Sequence, residues 1–388
     1  MLQTRTWIEI SKRAVIHNLN LVKQLAYPAD VMCVVKANSY GCEAEIITKI
    51  CADMGISRFG VATVDEALNL KRLRLNLHIL GTLTPSEYEY AVKNDFICPV
   101  VDEASAKKIQ IACERLRKYA RIHFLIDTGM GRLGFLPSDS GKVLDFIEKR
   151  KIKPPAGVIS HLSSADEDED YTSLQVESYY RLLKFFESRF GRMKRQIANS
   201  AYLLLNGYEE RMGIVRLGIA IYGASPSKDL STSLEECMSF ESIIWQVKRM
   251  KKGSRISYGG EAVLGRDSII GVVPVGYAHG YPRVVTGKAK VIVKGRKVPV
   301  VGRVTMDWIM VDLTDVGWLE KGEVVTIMGK SGGESISSWD IATWSGTIPY
   351  EIFYTKDVEC YRGDTTTHCL RYGEAKSFYI WVYMQINI

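Results

Sequence analysis

The stretch Val31-Met32-Cys33-Val34-Val35-Lys36-Ala37-Asn38-Ser39-Tyr40-Gly41 sets the pattern for the chain up to about Ser225. Its first five residues form a short apolar run rich in β-branched side chains, as in a strand buried on both faces. A polar turn ending in glycine follows, and then a helical stretch from Glu43 to Met54. Upstream, Val15, Leu19, Val22 and Ala26 recur at helical spacing behind Ser11, which can cap that helix, and Pro28 closes it. The same alternation recurs downstream. Apolar runs fall at Phe59 to Ala62, Leu77 to Leu80, Ile97 to Val101, Ile122 to Ile126, Gly157 to His161, Gln196 to Ala198 and Ile214 to Tyr222, mostly with helical segments between them. Eight strands of this kind predict a parallel sheet covered by helices, closed as a (β/α)8 TIM-type barrel.

Beyond Ser225 the period shortens. Ile243 to Val247, Arg255 to Tyr258, Ile269 to Val275, Ala289 to Val293, Val298 to Val301, Ile309 to Leu313 and Val324 to Met328 are short apolar runs separated by glycine turns. They predict an all-β second domain. Ser337-Ser338-Trp339-Asp340 has the form of a capping box and opens one short helix that ends before Pro349. The expected organisation is a strand in residues 1–10 packing with the C-terminal domain, a barrel over 11–232, a β domain over 233–354 and an unfamiliar tail over 355–388.

Composition sets the boundaries of function. The 388 residues include 51 Lys and Arg against 44 Asp and Glu, a net charge of +7, with 46% hydrophobic and 24% charged residues. A basic excess this small over such a length gives no reason to expect a nucleic-acid partner. No run approaches the ~18 apolar residues of a membrane span, and the N-terminus has no signal-peptide core. The eight cysteines contain no C-x-x-C pair and have no histidine at metal-ligand spacing. They read as reduced thiols of a cytoplasmic protein without a metal site. The acidic run Asp166 to Asp170 reads as a solvated loop.

Barrel active sites lie at the C-terminal ends of the strands, so the polar residues after each run carry the chemistry. Lys36 ends the first run, where a partly desolvated amine can form a Schiff base or act as a base. Taken alone it could equally be a lysine that snorkels from a strand end. It is joined by the turn Asp127-Thr128-Gly129-Met130-Gly131-Arg132-Leu133-Gly134, by Ser160-His161, by Ala198-Asn199-Ser200 and by Arg216-Leu217-Gly218-Ile219. Ser200 and Gly218-Ile219 follow the seventh and eighth strands, where barrels often bind phosphate through amides and a hydroxyl. A lysine, a phosphate site and a buried arginine together point to pyridoxal phosphate.

These motifs, with Ile256-Ser257-Tyr258-Gly259-Gly260, Gly276-Tyr277-Ala278-His279-Gly280-Tyr281, Gly302-Arg303-Val304-Thr305-Met306-Asp307 and Pro349-Tyr350-Glu351-Ile352, resemble the alanine racemase family from about Arg5 to Phe353. The resemblance implies that Lys36 carries pyridoxal 5'-phosphate and serves as one base, with Tyr258 as the other. His161 and Arg216 would support them, and a homodimer would bring Tyr258 to the neighbouring site. It further implies that Tyr40, Ser200, Gly218, Ile219 and Tyr350 hold the phosphate, with Arg216 at the pyridine nitrogen. Arg132 and the backbone of Met306 would bind the substrate carboxylate, and Tyr281 would stand at the entrance. The implied reaction interconverts L- and D-alanine and supplies peptidoglycan synthesis. A serine or broad-specificity racemase and a non-catalytic carrier of the cofactor are the alternatives. Three departures stand out: Leu125 replaces a lysine common in the family, His279 replaces its usual aspartate, and the family ending is not visible after Phe353.

Overall fold

The computed structural model describes residues 5–149, 155–230, 233–354 and 361–363. The chain divides into two compact units, Ala14–Glu235 and a second made of Met1–Arg13 with Glu236–Ile388. The N-terminal strand β1 (Thr6–Ile10) belongs to the second unit. It pairs antiparallel with the strand Met238–Ile243.

The first unit is the barrel. Its strands are β2 (Val31–Val34), β3 (Arg58–Val61), β4 (Asn76–Ile79), β5 (Ile97–Val100), β6 (Arg121–Leu125), β7 (Gly157–Ile159), β8 (Lys194–Gln196) and β9 (Val215–Leu217). They run parallel in the order β8-β7-β6-β5-β4-β3-β2-β9. Bonds from Ile214 N to Arg195 O (2.8 Å) and Arg216 N to Ala198 O (3.0 Å) bring β9 back to the β8 side. Helices fill the crossovers. Lys12–Ala26 buries Val15, Leu19, Val22 and Ala26 along one face, each fully buried aliphatic contributing roughly 1.5–3 kcal/mol. Side-chain caps start several of the helices that follow strands. Thr63, Asp102, Asp168 and Asn199 each accept a backbone N–H of the first turn.

Alternation along β6 fixes which residues look inward. Phe124 packs outward on Phe186 of the helix Glu169–Phe190, ring centroids 5.2 Å apart. On the opposite face His123 stacks at 6.0 Å with His78 of β4. Burial holds both imidazoles neutral, His123 down to about 3. Leu125 and Asp127 share the His123 face.

The second unit is antiparallel apart from one strand pair. Its strands are β10 (Met238–Ile243), β11 (Gln246–Met250), β12 (Arg255–Ile256), β13 (Ala262–Val263), β14 (Ser268–Val273), β15 (Lys290–Val293), β16 (Arg296–Val301), β17 (Ile309–Asp312), β18 (Val324–Ser331), β19 (Glu334–Ile336) and β20 (Tyr361–Gly363). β20 lies parallel to β1. The helix Ser338–Ser345 opens on the reciprocal cap between Ser337 and Asp340. A second short helix, Pro349–Tyr354, follows it without a sequence signal of its own. Within the tail only β20 is described; 355–360 and 364–388, with the apolar run Phe378 to Tyr383, lie outside the described residues.

Four predicted strands differ from the structure for physical reasons. Gln196 to Ala198 shifts back to Lys194–Gln196, because a strand's first residues at the barrel's N-terminal mouth are polar and leave no apolar trace. Ile214 to Tyr222 divides into β9 and a 3-10 turn, Ile219–Tyr222, whose side chains are equally buried. Ile243 to Val247 spans the corner between β10 and β11, where Trp245 N turns to bond Val272 O. Arg255 to Tyr258 is strand for two residues, and Ser257 at φ 62° then redirects the chain.

Candidate active site

The site in the barrel unit starts at the end of β2. After Lys36 the residues Ala37, Asn38, Ser39 and Tyr40 all lie in the left-handed region, at φ 53°, 51°, 54° and 54°. Each costs roughly 1–2 kcal/mol, so the turn exists only because other bonds offset that strain. Ser39 N bonds Val35 O and Gly41 N bonds Ala37 O, both at 3.0 Å. Asn38 donates to Glu43 Oε1 (2.7 Å) and accepts from Ala44 N (2.9 Å). Glu66 accepts from Ala37 N (2.8 Å).

The turn sends Tyr40 across to β9. Its ring lies 4.8 Å from that of Tyr222, whose hydroxyl donates to Val34 O at 2.8 Å. Gly218 is required at the contact, since a Cβ there would lie 2.5 Å from the Tyr40 hydroxyl oxygen. The Gly218 amide donates to Ser200 Oγ at 3.0 Å. Ile219 begins the 3-10 turn immediately after. Two hydroxyls and a glycine amide are thereby gathered at one end of the barrel.

Arg216 comes off β9 into the interior, 5% exposed. Its Nη1 donates to Gln196 O, while Nη2 donates to Ser160 O (2.6 Å) and His161 Nδ1 (3.1 Å). A guanidinium has no acceptor, so Nδ1 of His161 must be unprotonated. Burial, with Arg216, Arg132 and Lys36 nearby, brings His161 down to about 3, and the imidazole is neutral. Burial also lowers Arg216, to about 10, which leaves it fully charged at neutral pH. The amine of Lys36 falls below its ordinary value of 10.5 through burial first and then through Arg132 and Arg216, against an opposing pull from Glu66.

Arg132 is carried by a turn built on Asp127. One carboxylate oxygen accepts the amides of Gly129 (2.9 Å), Met130 (2.8 Å) and Gly131 (3.1 Å), and the other that of Arg132 (2.8 Å). Burial pushes the Asp127 carboxyl up, but the four N–H bonds outweigh it and hold the group below its ordinary value. The turn closes at Gly134 (φ 115°), where a Cβ would lie 2.7 Å from Leu125 O. Leu125, Arg132, Ser160 and His161 line a pocket of about 20 Å³, room for roughly one water. Arg132 is exposed, and its side chain makes no ion pair among the described residues.

The other predicted residues belong to the second unit. Tyr258, on the 3-10 turn Tyr258–Gly260, is 69% exposed. Met306 is exposed, and its carbonyl accepts from Ala278 N (3.0 Å). Tyr350 is half-buried on Pro349–Tyr354. Tyr281 is fully buried, and its hydroxyl has no partner among the described residues. The Gly276 amide donates to His279 Nδ1 (3.2 Å), so this histidine makes an acceptor contact open to a carboxylate as well. Glu66 is not singled out in the sequence, and Asp127 and Tyr222 enter only as parts of longer runs without roles of their own. A Thr-x-x-Glu cap at Thr63 was the one visible hint of Glu66.

A parallel barrel with a strand-end lysine, a fixed interior arginine and an appended antiparallel unit defines a two-part barrel enzyme of amine chemistry. Family models for the N-terminal and C-terminal domains of alanine racemase match residues 10–226 and 237–361. The chain belongs to the alanine racemase family, whose members are pyridoxal-phosphate-dependent isomerases. It is 35% identical over 358 residues to the alanine racemase of Clostridium novyi, covering 89% of this chain and 92% of that one. Alanine racemase from Bacillus anthracis with bound L-Ala-P superposes with a TM-score of 0.87 at 30% identity, covering 96% of this chain and 99% of that one. The enzyme from Bartonella henselae, with covalently bound pyridoxal phosphate, gives 0.84 at 26% identity, covering 93% and 99%. No helix among the described residues is long and apolar enough to cross a membrane.

Proposed function

We propose that this protein interconverts L-alanine and D-alanine with pyridoxal 5'-phosphate held on Lys36. The observation that carries this reading is the gathering of Lys36, Tyr40, Ser200, Gly218 and Arg216 in the barrel unit of a chain from this family. The donor set suits the cofactor. The space at Gly218 that a Cβ would fill is bordered by the Tyr40 hydroxyl, with Ser200 on the adjacent amide. These groups, with Ile219 and Tyr350, would hold the phosphate. Bound there, the cofactor supplies an electron sink for charge developing at the substrate Cα.

Racemisation requires a proton to leave one face of Cα and another to arrive on the opposite face, which one side chain cannot easily do. Lys36 serves one face, its lowered amine being better able to accept a proton near neutrality. Tyr258 serves the other, donated by the neighbouring protomer of a homodimer; its exposure on its own unit supports that assignment. Arg216 can only donate hydrogen bonds, and its three fixed contacts aim it; set against the pyridine nitrogen of the cofactor, it would keep that nitrogen unprotonated and the electron sink weak. His161, neutral, holds Arg216 in place. Arg132 and the Met306 backbone would take the substrate carboxylate, while Tyr281, expected at the entrance, is fully buried in its own unit. With Leu125 offering no charge beside it, the positive charge of Arg132 remains available to that carboxylate. The thiols of Cys33, Cys51, Cys98 and Cys113, none of them in a disulfide among the described residues, support a reducing, cytoplasmic setting. There the product would feed peptidoglycan synthesis.

A chiral assay of the purified protein with L-alanine and L-serine tests the reading. Wild type should produce D-alanine, and Lys36→Ala and Tyr258→Phe should each lose at least roughly 100-fold in rate. Faster conversion of serine than alanine would move the assignment to the broader racemases. Cofactor binding without turnover of either would leave only a carrier.

A further inference from the structure

The reading of Lys36 as the cofactor lysine leaves open what holds that lysine in a strained turn among positive charges. From the turn after β6 Arg132 faces it, and from β9 Arg216, while the neutral His161 stands at the end of β7. Among the described residues the carboxylate acting on it is Glu66, in the first turn of the helix Val64–Leu70. Glu66 Oε1 accepts from Ala37 N at 2.8 Å and Oε2 from Ala62 N at 2.7 Å. Its own amide is fixed on Thr63 Oγ1 at 3.2 Å. Ala37 is the residue directly after Lys36 and the first of the four left-handed residues, and Ala62 directly follows β3.

We propose that Glu66 is a positioning residue for Lys36, its carboxylate stapling the left-handed turn that carries the lysine to the end of β3 through the amides of Ala37 and Ala62. The inference rests on the cofactor reading above but concerns a residue outside the cofactor and substrate contacts. Both oxygens are engaged by backbone amides, so the carboxylate cannot swing away to solvent. An ammonium that loses a nearby anion is less stable relative to the amine. Removing the charge therefore lowers the pH at which Lys36 becomes a free amine. Shortening the side chain keeps the charge but loosens the staple.

The test is the capture of added pyridoxal phosphate by the full-length, cofactor-stripped protein, followed by visible absorbance across pH in wild type, Glu66→Gln and Glu66→Asp. Only the unprotonated amine reacts, so the pH midpoint of the capture rate reports Lys36 directly. Glu66→Gln should move that midpoint down by about one pH unit. A change that only loosened the fold would lower the rate at every pH and leave the midpoint in place. Glu66→Asp should keep the wild-type midpoint and capture the cofactor more slowly. A Glu66→Gln midpoint unchanged from wild type, or a wild-type capture rate in Glu66→Asp, would overturn the proposal. Lys36→Ala separates the two readings, because capture persisting there with the wild-type midpoint would refute the assignment of Lys36 itself.

Discussion

Asp127 shows how one side chain can set the backbone beneath Arg132, the arginine proposed to take the substrate carboxylate. Four amides in sequence point at one carboxylate, and the last belongs to Arg132. Hydrogen bonds to a charged acceptor are worth about 1.5–3 kcal/mol each, with part of that recovered by water when the acceptor is removed. Asp127→Ala should cost about 2–4 kcal/mol of stability and raise KM for L-alanine more than it lowers kcat, because Arg132 would lose its aim while Lys36 keeps its own. Thermal unfolding with saturation kinetics checks this, and an unchanged KM in a folded variant would remove Asp127 from substrate binding. The carboxyl is held below its ordinary value, so the support it gives is present above that value and is lost as pH falls through the depressed one.

At the scale of elements, the runs that alternate apolar strands with amphipathic helices were legible because burial on both faces leaves an unbroken hydrophobic signature. The strand-end residues were legible for the same reason, since each follows such a run. The left-handed turn after Lys36 was not. Ala37, Asn38, Ser39 and Tyr40 have no glycine among them, and ordinary turn chemistry would not place four L-residues there; the turn depends on Glu66, whose contact is tertiary, as well as on the nearby Glu43. The division of Ile214 to Tyr222 into strand and 3-10 turn was hidden because both halves are buried. The sheet of the second unit holds a buried acid that no periodicity announces. Glu241 in β10 is 8% exposed, and Oε2 has no partner among the described residues. Burial, helped by the charge on Glu9 and opposed by a bond to Thr326, pushes its carboxyl up to about 8. A raised value favours the protonated form in the folded protein, so its contribution is complete below the unfolded carboxyl near 4.5 and is lost as pH rises through about 8. Urea unfolding at pH 5 and pH 8.5 should show wild type losing on the order of 3–5 kcal/mol more than Glu241→Gln. Parallel losses in the two proteins would show that Glu241 titrates normally.

For the whole molecule, the chain starts in the β unit, builds the barrel, and returns to complete the sheet that β1 joins. On the proposed two-base reading, Lys36 belongs to the barrel unit and Tyr258 to the β unit, and the tyrosine is supplied by a neighbouring protomer. Complementation between two inactive variants tests this most directly. Lys36→Ala and Tyr258→Phe proteins, each inactive alone, are mixed, dissociated and reassembled, and L-alanine is followed to D-alanine. If Tyr258 serves the neighbour's Lys36, every mixed dimer has one intact site and one doubly defective site. Random pairing then restores about a quarter of wild-type activity. If Tyr258 serves its own chain's Lys36, every site in the mixture has one defect, and activity stays at the level of the separate variants.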